Sequence, residues 1–133
     1  MALAGWVEAA NGNPAAGREL IEKSRRLNPT PPTPWIALAG LAFTRIVEGQ
    51  YAEAAFWAEQ AVAQNRRFSM ALRSLAVALV KIGEMDRARR IVTEMLQIEP
   101  GATVARIRNR MPYVIEPVMQ TYVETLSEAG LPR

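Results

Sequence analysis

A glycine followed five residues later by an alanine recurs in this chain at a distance of 34 residues, and this repeat constrains the fold more than any other feature. The pairs are Gly49 with Ala54 and Gly83 with Ala88. The segments upstream also correspond. Their matching apolar residues are Leu38, Leu41 and Ala42 in one copy and Leu72, Leu75 and Ala76 in the next. A period of this length is typical of stacked helix–turn–helix units.

The residue types at these positions predict how each unit folds. Glycine tolerates the left-handed conformation that follows a helix C-terminus, so Gly49 and Gly83 are expected to end the first helix of each unit. Alanine at 54 and 88 lets the second helix lie close to the first. The matching apolar residues fall on one helical face. A single pair cannot bury that face alone, so the pairs are expected to stack.

The repeat extends over most of the chain. An earlier copy carries Gly12 at the turn and Gly17 at the small position. We predict copies at 1–31, 35–68 and 69–102, a capping segment at 103–133, and a stiff proline-rich connector over Asn28 to Trp35. A proline-rich ligand for another domain is the alternative for that connector. The predicted helices cover residues 2–11, 14–27, 35–48, 51–65, 69–82, 85–98, 103–110 and 115–129.

In period, turn glycines and small residues, the chain resembles the tetratricopeptide repeat family. The resemblance implies an all-α, right-handed superhelix of stacked antiparallel helix pairs, closed by a C-terminal capping helix with an apolar stripe at 115–126. It also implies partner binding on the concave face formed by the first helices. The candidate partner-binding residues there are Trp6, Ile36, Phe43, Val47, Met70, Arg73, Val77 and Lys81.

This candidate groove is apolar with a basic edge. Such a surface favours a protein or peptide segment, with Arg73 and Lys81 available to a carboxylate. The alternative is that the C-terminal helix or a second copy of the chain fills the groove. Trp35 and Trp57 are interpreted as packing residues, and Tyr113 is expected to fix the hinge that follows Pro112.

The tail carries a second resemblance. The stretch ARIRNRMPY and the closing AGLP resemble the C-terminal repeat regions of bacterial class III adenylate or guanylate cyclases, and some winged-helix regulators have similar tails. The resemblance implies a non-catalytic, cytoplasmic signalling region that contacts a protein partner, itself as a homodimer, or its own upstream domain. Because Met1 falls in mid-repeat, we expect this chain to be a fragment of a longer protein.

Composition argues against catalysis by this chain. It has no cysteine and no histidine, which removes the usual general base and the common zinc and haem ligands. No phosphate-binding or nucleophile-elbow motif occurs, and no apolar run reaches the roughly 18 residues of a membrane span. We therefore expect no catalytic residue, no cofactor, no metal and no membrane contact.

Arginine clusters are the remaining candidates. Arg106 and Arg110 share a helical face and could contact an anion, although the absence of interleaved aromatics disfavours nucleic acid. The alternative is an ion-paired surface helix. For the second cluster, we expect ion pairs with nearby acids. Its residues are Arg87, Arg89 and Arg90, and the expected acids are Glu84, Asp86 or Glu94.

Overall fold

A computed structural model describes residues 2–111 and 114–133, and within them every regular element is an α-helix. The eight helices are α1 (Ala2–Ala10), α2 (Pro14–Leu27), α3 (Pro34–Val47), α4 (Tyr51–Gln64), α5 (Ser69–Lys81), α6 (Met85–Ile98), α7 (Val104–Arg110) and α8 (Glu116–Glu128). Each begins and ends within one residue of its predicted bounds. The all-α prediction is therefore confirmed.

The predicted turn glycines end helices in the left-handed conformation. The backbone φ angles are +91° at Gly12, +77° at Gly49 and +88° at Gly83, and Gly130 after α8 has the same type of conformation at +108°. Beyond Gly49, the amide of Gln50 donates to the carbonyl of Arg45 over 2.8 Å, and one repeat later Glu84 donates to Leu79 over the same distance. These bonds satisfy carbonyls that the helix end leaves free, which is why the same turn recurs.

The small residues allow each second helix to pack closely against the first. Ala54 and Ala88 have no solvent exposure. At Gly17 in α2, a Cβ atom would lie 2.5 Å from the carbonyl oxygen of Gly5 in α1, so no larger residue fits without a shift of the backbone. The predicted role of these positions in helix packing is confirmed.

The helix pairs stack so that the first helices form an inner layer. Helix α1 contacts α3, and α3 contacts α5, in addition to the contacts within each pair. The main hydrophobic core runs through these three helices, and Ala39, Ala42, Leu72 and Ala76 lie within it. A stack of this kind buries a continuous core that no single pair could bury.

The C-terminal segment folds back over this stack. Helix α8 packs against both α5 and α7, and the amide of Val104 donates to the carbonyl of Pro132 over 2.8 Å. At the other end of the segment, the amide of Ile115 donates to the carbonyl of Ala10 at the end of α1, over 3.0 Å. The C-terminal segment therefore spans from the last helix pair to the first.

The predicted apolar stripe of α8 faces the repeats for most of its length. Four of its members are buried, namely Met119, Tyr122, Val123 and Leu126. Ile115 departs from the prediction because it precedes the helix and is 38% exposed. The hinge predicted at Pro112 and Tyr113 lies outside the described residues. No helix in the described ranges is long and apolar enough to cross a membrane.

Candidate protein-interaction groove

The eight candidate partner-binding residues belong to the three inner helices, but they differ in accessibility. Trp6, Phe43, Arg73 and Val77 are buried, with exposures of 4%, 0%, 4% and 0%. Ile36, Val47 and Met70 are partly buried, and only Lys81 is exposed. A partner can therefore contact these four buried residues only if the side chains that cover them move. Their partner-binding role stays a prediction.

A row of three aromatic side chains crosses the inner face. The ring of Trp6 stacks on Phe43 with centroids 5.1 Å apart and an angle of 19°, and Phe43 meets Tyr122 of α8 edge-to-face at 5.9 Å. Gly40 makes room for the indole, because a Cβ there would lie 2.7 Å from Trp6 Nε1. That nitrogen donates to the carbonyl of Ile36 over 3.3 Å. This aromatic row joins α1, α3 and α8.

Tyr122 also makes a polar contact beneath α8. Its hydroxyl lies 3.1 Å from Ser74 Oγ on α5, and Ser74 and Tyr122 are 1% and 2% exposed. A buried hydroxyl pair of this kind fixes the position of one helix on the other, because either group alone would lack a partner. Ser74 is not among the residues predicted from the sequence. Its only signal was one hydroxyl in the otherwise apolar run SLAVALV.

Arg73 is a buried cation with few partners. Its Nη2 donates to the sulfur of Met111 over 3.9 Å, a weak acceptor, and its Nε has no hydrogen-bond acceptor within the described ranges. The side chain of Met111, in the segment that leads to α8, thus lies against this guanidinium. Contact between Arg73 and a carboxylate of a partner stays a prediction.

Glu99, after α6, is the acid whose ionisation Arg73 influences. Burial by itself would raise the pKa of Glu99, but hydrogen bonds from Ser69 and Arg110, with the positive charges of Arg110 and Arg73, outweigh it and lower the pKa. The contact between Arg110 Nη1 and Glu99 Oε2 measures 2.5 Å. Glu99 thus ties α5 and α7 to the end of α6 as a carboxylate.

Part of the inner face stays open beside α8. A shallow cavity of about 290 Å³ lies between the end of α3 and α8, and its apolar lining includes Val47, Tyr51 and Val118. The Nζ of Lys81 lies 5.9 Å from the centre of the Tyr51 ring. Val47, which is partly buried, and Lys81, which is exposed, thus lie at or near the edge of this opening.

The arginines of α7 mostly face acids of the same chain. Arg110 pairs with Glu99, and Arg108 pairs with Glu116 over 2.7 Å. Arg106 is exposed, and its guanidinium lies against Gly101. The ion-paired alternative thus describes Arg110 in this structure, whereas anion contact by Arg106 and Arg110 stays a prediction.

The ion pairs of α6 connect neighbouring repeats more than expected. Arg87 pairs with Glu84 over 3.9 Å as predicted, but it also pairs with Glu59 on α4. Arg89 pairs with Asp86 over 3.8 Å as predicted, whereas the carboxylate of Glu94 accepts hydrogen bonds from Nε and Nη2 of Arg66 in the preceding repeat, over 3.0 and 2.8 Å. Stacking places these helices side by side, which a search among sequence neighbours does not reveal.

Comparisons with known proteins agree with this geometry. A tetratricopeptide repeat family model matches residues 46–111. Residues 46–111, which run from the end of α3 through α7, are similar to tetratricopeptide repeats. Among solved structures, it is similar to the crystal structure of PilW, a widely conserved type IV pilus biogenesis factor, with a TM-score of 0.69 and 18% identity over 96% of this chain. At that identity the likeness shows the helical solenoid fold alone.

The chain covers 57% of the PilW structure, so it spans little more than half of that protein. The comparison with curated proteins gave no match. Neither the family model nor the PilW structure links the chain to cyclases or to winged-helix regulators.

Tetratricopeptide repeats generally mediate protein–protein contact through extended concave surfaces. The chemistry on this inner face suits that role, since it consists of aromatic, aliphatic and hydroxyl groups with one buried guanidinium. Within residues 2–111 and 114–133, no three acids lie close enough together to hold a metal ion.

Proposed function

We propose that this chain is a non-catalytic protein-interaction scaffold whose concave groove receives an amphipathic helix. The observation that carries the proposal is α8, which occupies the groove and completes the aromatic row through Tyr122. Helix α8 therefore shows what kind of segment fits the groove, namely a helix with an apolar stripe and one buried hydroxyl group. Helix-in-groove recognition uses such a stripe, with anchors three or four residues apart.

Self-association is one form that this function can take when α8 leaves the groove of its own chain. The same groove and helix exist on every copy, so α8 of one copy can occupy the groove of another with unchanged contacts. Exchange of an identical element between protomers creates a dimer at low energetic cost. A partner protein that offers a comparable helix is the second possible occupant.

A weakened α8 tests the proposal. Met119 and Tyr122 are each 2% exposed, so the double substitution Met119→Ala/Tyr122→Ala removes two large buried anchors while it leaves the groove intact. A fluorescein-labelled peptide of residues 114–133 is titrated into wild type and variant, with polarisation as the readout. We expect binding at least tenfold tighter to the variant, because its own helix competes less well. The control Glu128→Ala changes an exposed residue of the same helix.

The peptide result decides between the outcomes. A variant that keeps wild-type helical circular dichroism at 222 nm and still binds no peptide would contradict the groove as a helix receptor. Equal peptide binding to wild type, control and variant would also contradict the groove as a helix receptor, because binding would then not depend on whether α8 leaves the groove.

The proposal also covers the kind of full-length protein to which this scaffold belongs. The tail resemblance supports a cytoplasmic, bacterial signalling protein in which these repeats regulate an upstream class III cyclase domain. The alternative is the effector or oligomerisation region of a winged-helix transcription regulator. The sequence encoded before Met1 tests both. A cyclase domain supports the first, a winged helix supports the second, and any other domain removes both.

A further inference from the structure

A second cleft lies among the connector, α2, α3 and α4. Its volume is about 680 Å³, within the usual range for ligand sites. Leu38 and Trp57 contribute apolar surface, and Phe56 beside them is 55% exposed. No residue of α8 lines this cleft, so it is separate from the groove discussed above.

The two ion pairs that join α4 to α6 have no counterpart at the preceding repeat interface, where the cleft lies. Between α4 and α6, Glu59 pairs with Arg87 and Arg66 pairs with Glu94. The first two copies are 37 residues apart, as Gly12 and Gly49 show, so Glu59 and Arg66 match Glu22 and Pro29. With the 34-residue shift, Arg87 and Glu94 match Glu53 and Gln60. The first matching pair is therefore two acids, Glu22 with Glu53, and the second, Pro29 with Gln60, carries no charge. Neither pair can form, and three of these residues line the cleft: Glu22, Pro29 and Gln60.

The charges in the cleft point to an acidic ligand. Two arginines line it, Arg25 and Arg26, against a single carboxylate, Glu22. Neither arginine has a carboxylate within 4 Å in the described ranges, and the guanidinium of Arg25 lies 5.5 Å from the centre of the Trp57 ring. An unpaired guanidinium held above an indole can bind a carboxylate while the aromatic faces receive an apolar side chain.

The connector makes one wall of the cleft stiff. Pro29, Pro31 and Pro34 line it, and each has its φ angle fixed by the proline ring. A wall of this kind loses little conformational entropy when a ligand binds, which favours affinity. Shape, apolar surface and uncompensated positive charge therefore occur together at one place.

We propose that this cleft docks an acidic peptide segment of a partner protein, with one large apolar side chain against Phe56 and Trp57 and flanking carboxylates on Arg25 and Arg26. The proline-rich connector over Asn28 to Trp35 would then form part of a binding site, and would not itself be a ligand for another domain. This proposal is independent of the groove that α8 occupies, so either can fail without the other.

Nuclear magnetic resonance on the full ¹⁵N-labelled chain tests the proposal. The probe is the blocked peptide acetyl-Glu-Asp-Leu-Phe-Asp-Glu-amide, and the readout is the indole N–H signal of Trp57, assigned through Trp57→Phe. We expect saturable shifts of that signal, with the indole of buried Trp6 unchanged. A peptide with Lys in place of every acid, and one with Ser-Ser in place of Leu-Phe, should each bind at least tenfold more weakly.

Two variants and one control locate the site. Arg25→Glu/Arg26→Glu and, separately, Phe56→Ser should each weaken binding at least tenfold. The control Arg89→Glu/Arg90→Glu makes the same charge change on exposed residues of α6, outside the cleft, and should retain binding. No shift at millimolar peptide, or equal loss in the control, would overturn the proposal. Equal binding of phenylacetate would also overturn it, because the cleft would then be a small-molecule site.

Discussion

Removal of the Tyr122 side chain tests how firmly α8 is docked. The ring is 2% exposed, lies 5.9 Å from Phe43 edge-to-face, and its hydroxyl meets Ser74 at 3.1 Å. Truncation of a buried aromatic residue to alanine costs about 3–5 kcal/mol. Tyr122→Phe keeps the ring and leaves only the hydroxyl of Ser74 unpaired, for about 1–3 kcal/mol. Tyr122→Ala should therefore be clearly the more destabilising of the two.

Urea unfolding followed by circular dichroism at 222 nm and by tryptophan fluorescence measures this loss. Folded domains are typically stable by about 5–15 kcal/mol, so the alanine variant should lose a large share of that stability. If α8 detaches before the repeats unfold, the two probes will separate, because detachment removes a cover from the inner face but melts only a small part of the helix content. Glu128→Ala, exposed on the same helix, should stay within about 0.5 kcal/mol of wild type. A Tyr122→Ala variant with wild-type stability and coincident transitions would refute the packing of α8 described here.

Three further substitutions test the repeat and its charge network by urea or thermal unfolding. Gly83→Ala should cost about 1–2 kcal/mol through conformation alone, because φ is +88° and nothing lies within 4 Å of the new Cβ; an unchanged stability would contradict that turn. Ala88→Trp should cost at least about 1–3 kcal/mol, because Ala88 has no solvent exposure; an unchanged melting temperature would show that the repeat phase is wrong. Glu99 has a lowered pKa in the folded state, so its contribution to stability is present above its unfolded pKa of about 4.3 and is lost as pH falls through the folded pKa. Glu99→Gln should therefore lose less stability than wild type between about pH 5 and pH 3, and identical acid profiles would contradict the network.

The helices and their packing could be predicted from the sequence because local residues determine them. A glycine with positive φ ends a helix wherever it stands, which explains why the bounds near Gly49 and Gly83 were correct. Burial of Ala54 and Ala88 followed from the repeat phase, since equivalent positions in stacked units have equivalent surroundings. These features depend on a few neighbouring residues and one period.

The sequence left open whether a partner, the C-terminal helix or a second copy of the chain fills the groove, because the answer depends on contacts between residues far apart in the chain. The stripe of α8 indicated that the helix would bury one face, but it did not say against which surface. Tyr122 reaches Phe43 and Ser74 across 79 and 48 positions. The pairing of Glu94 with Arg66 was missed for the same reason, since the nearest acids and bases in sequence were not the nearest in space.

The central claim is that the chain fills its own concave groove. Measurement of the contact between Phe43 and Tyr122 within one chain tests this claim most directly. A sample that mixes ¹³C-labelled and unlabelled chains in equal amounts separates nuclear Overhauser effects within one chain from those between chains. We predict contacts between these two rings within one chain, in a sample whose light-scattering mass is that of a monomer. Absence of contact between the rings, or contact only between different chains, would contradict it.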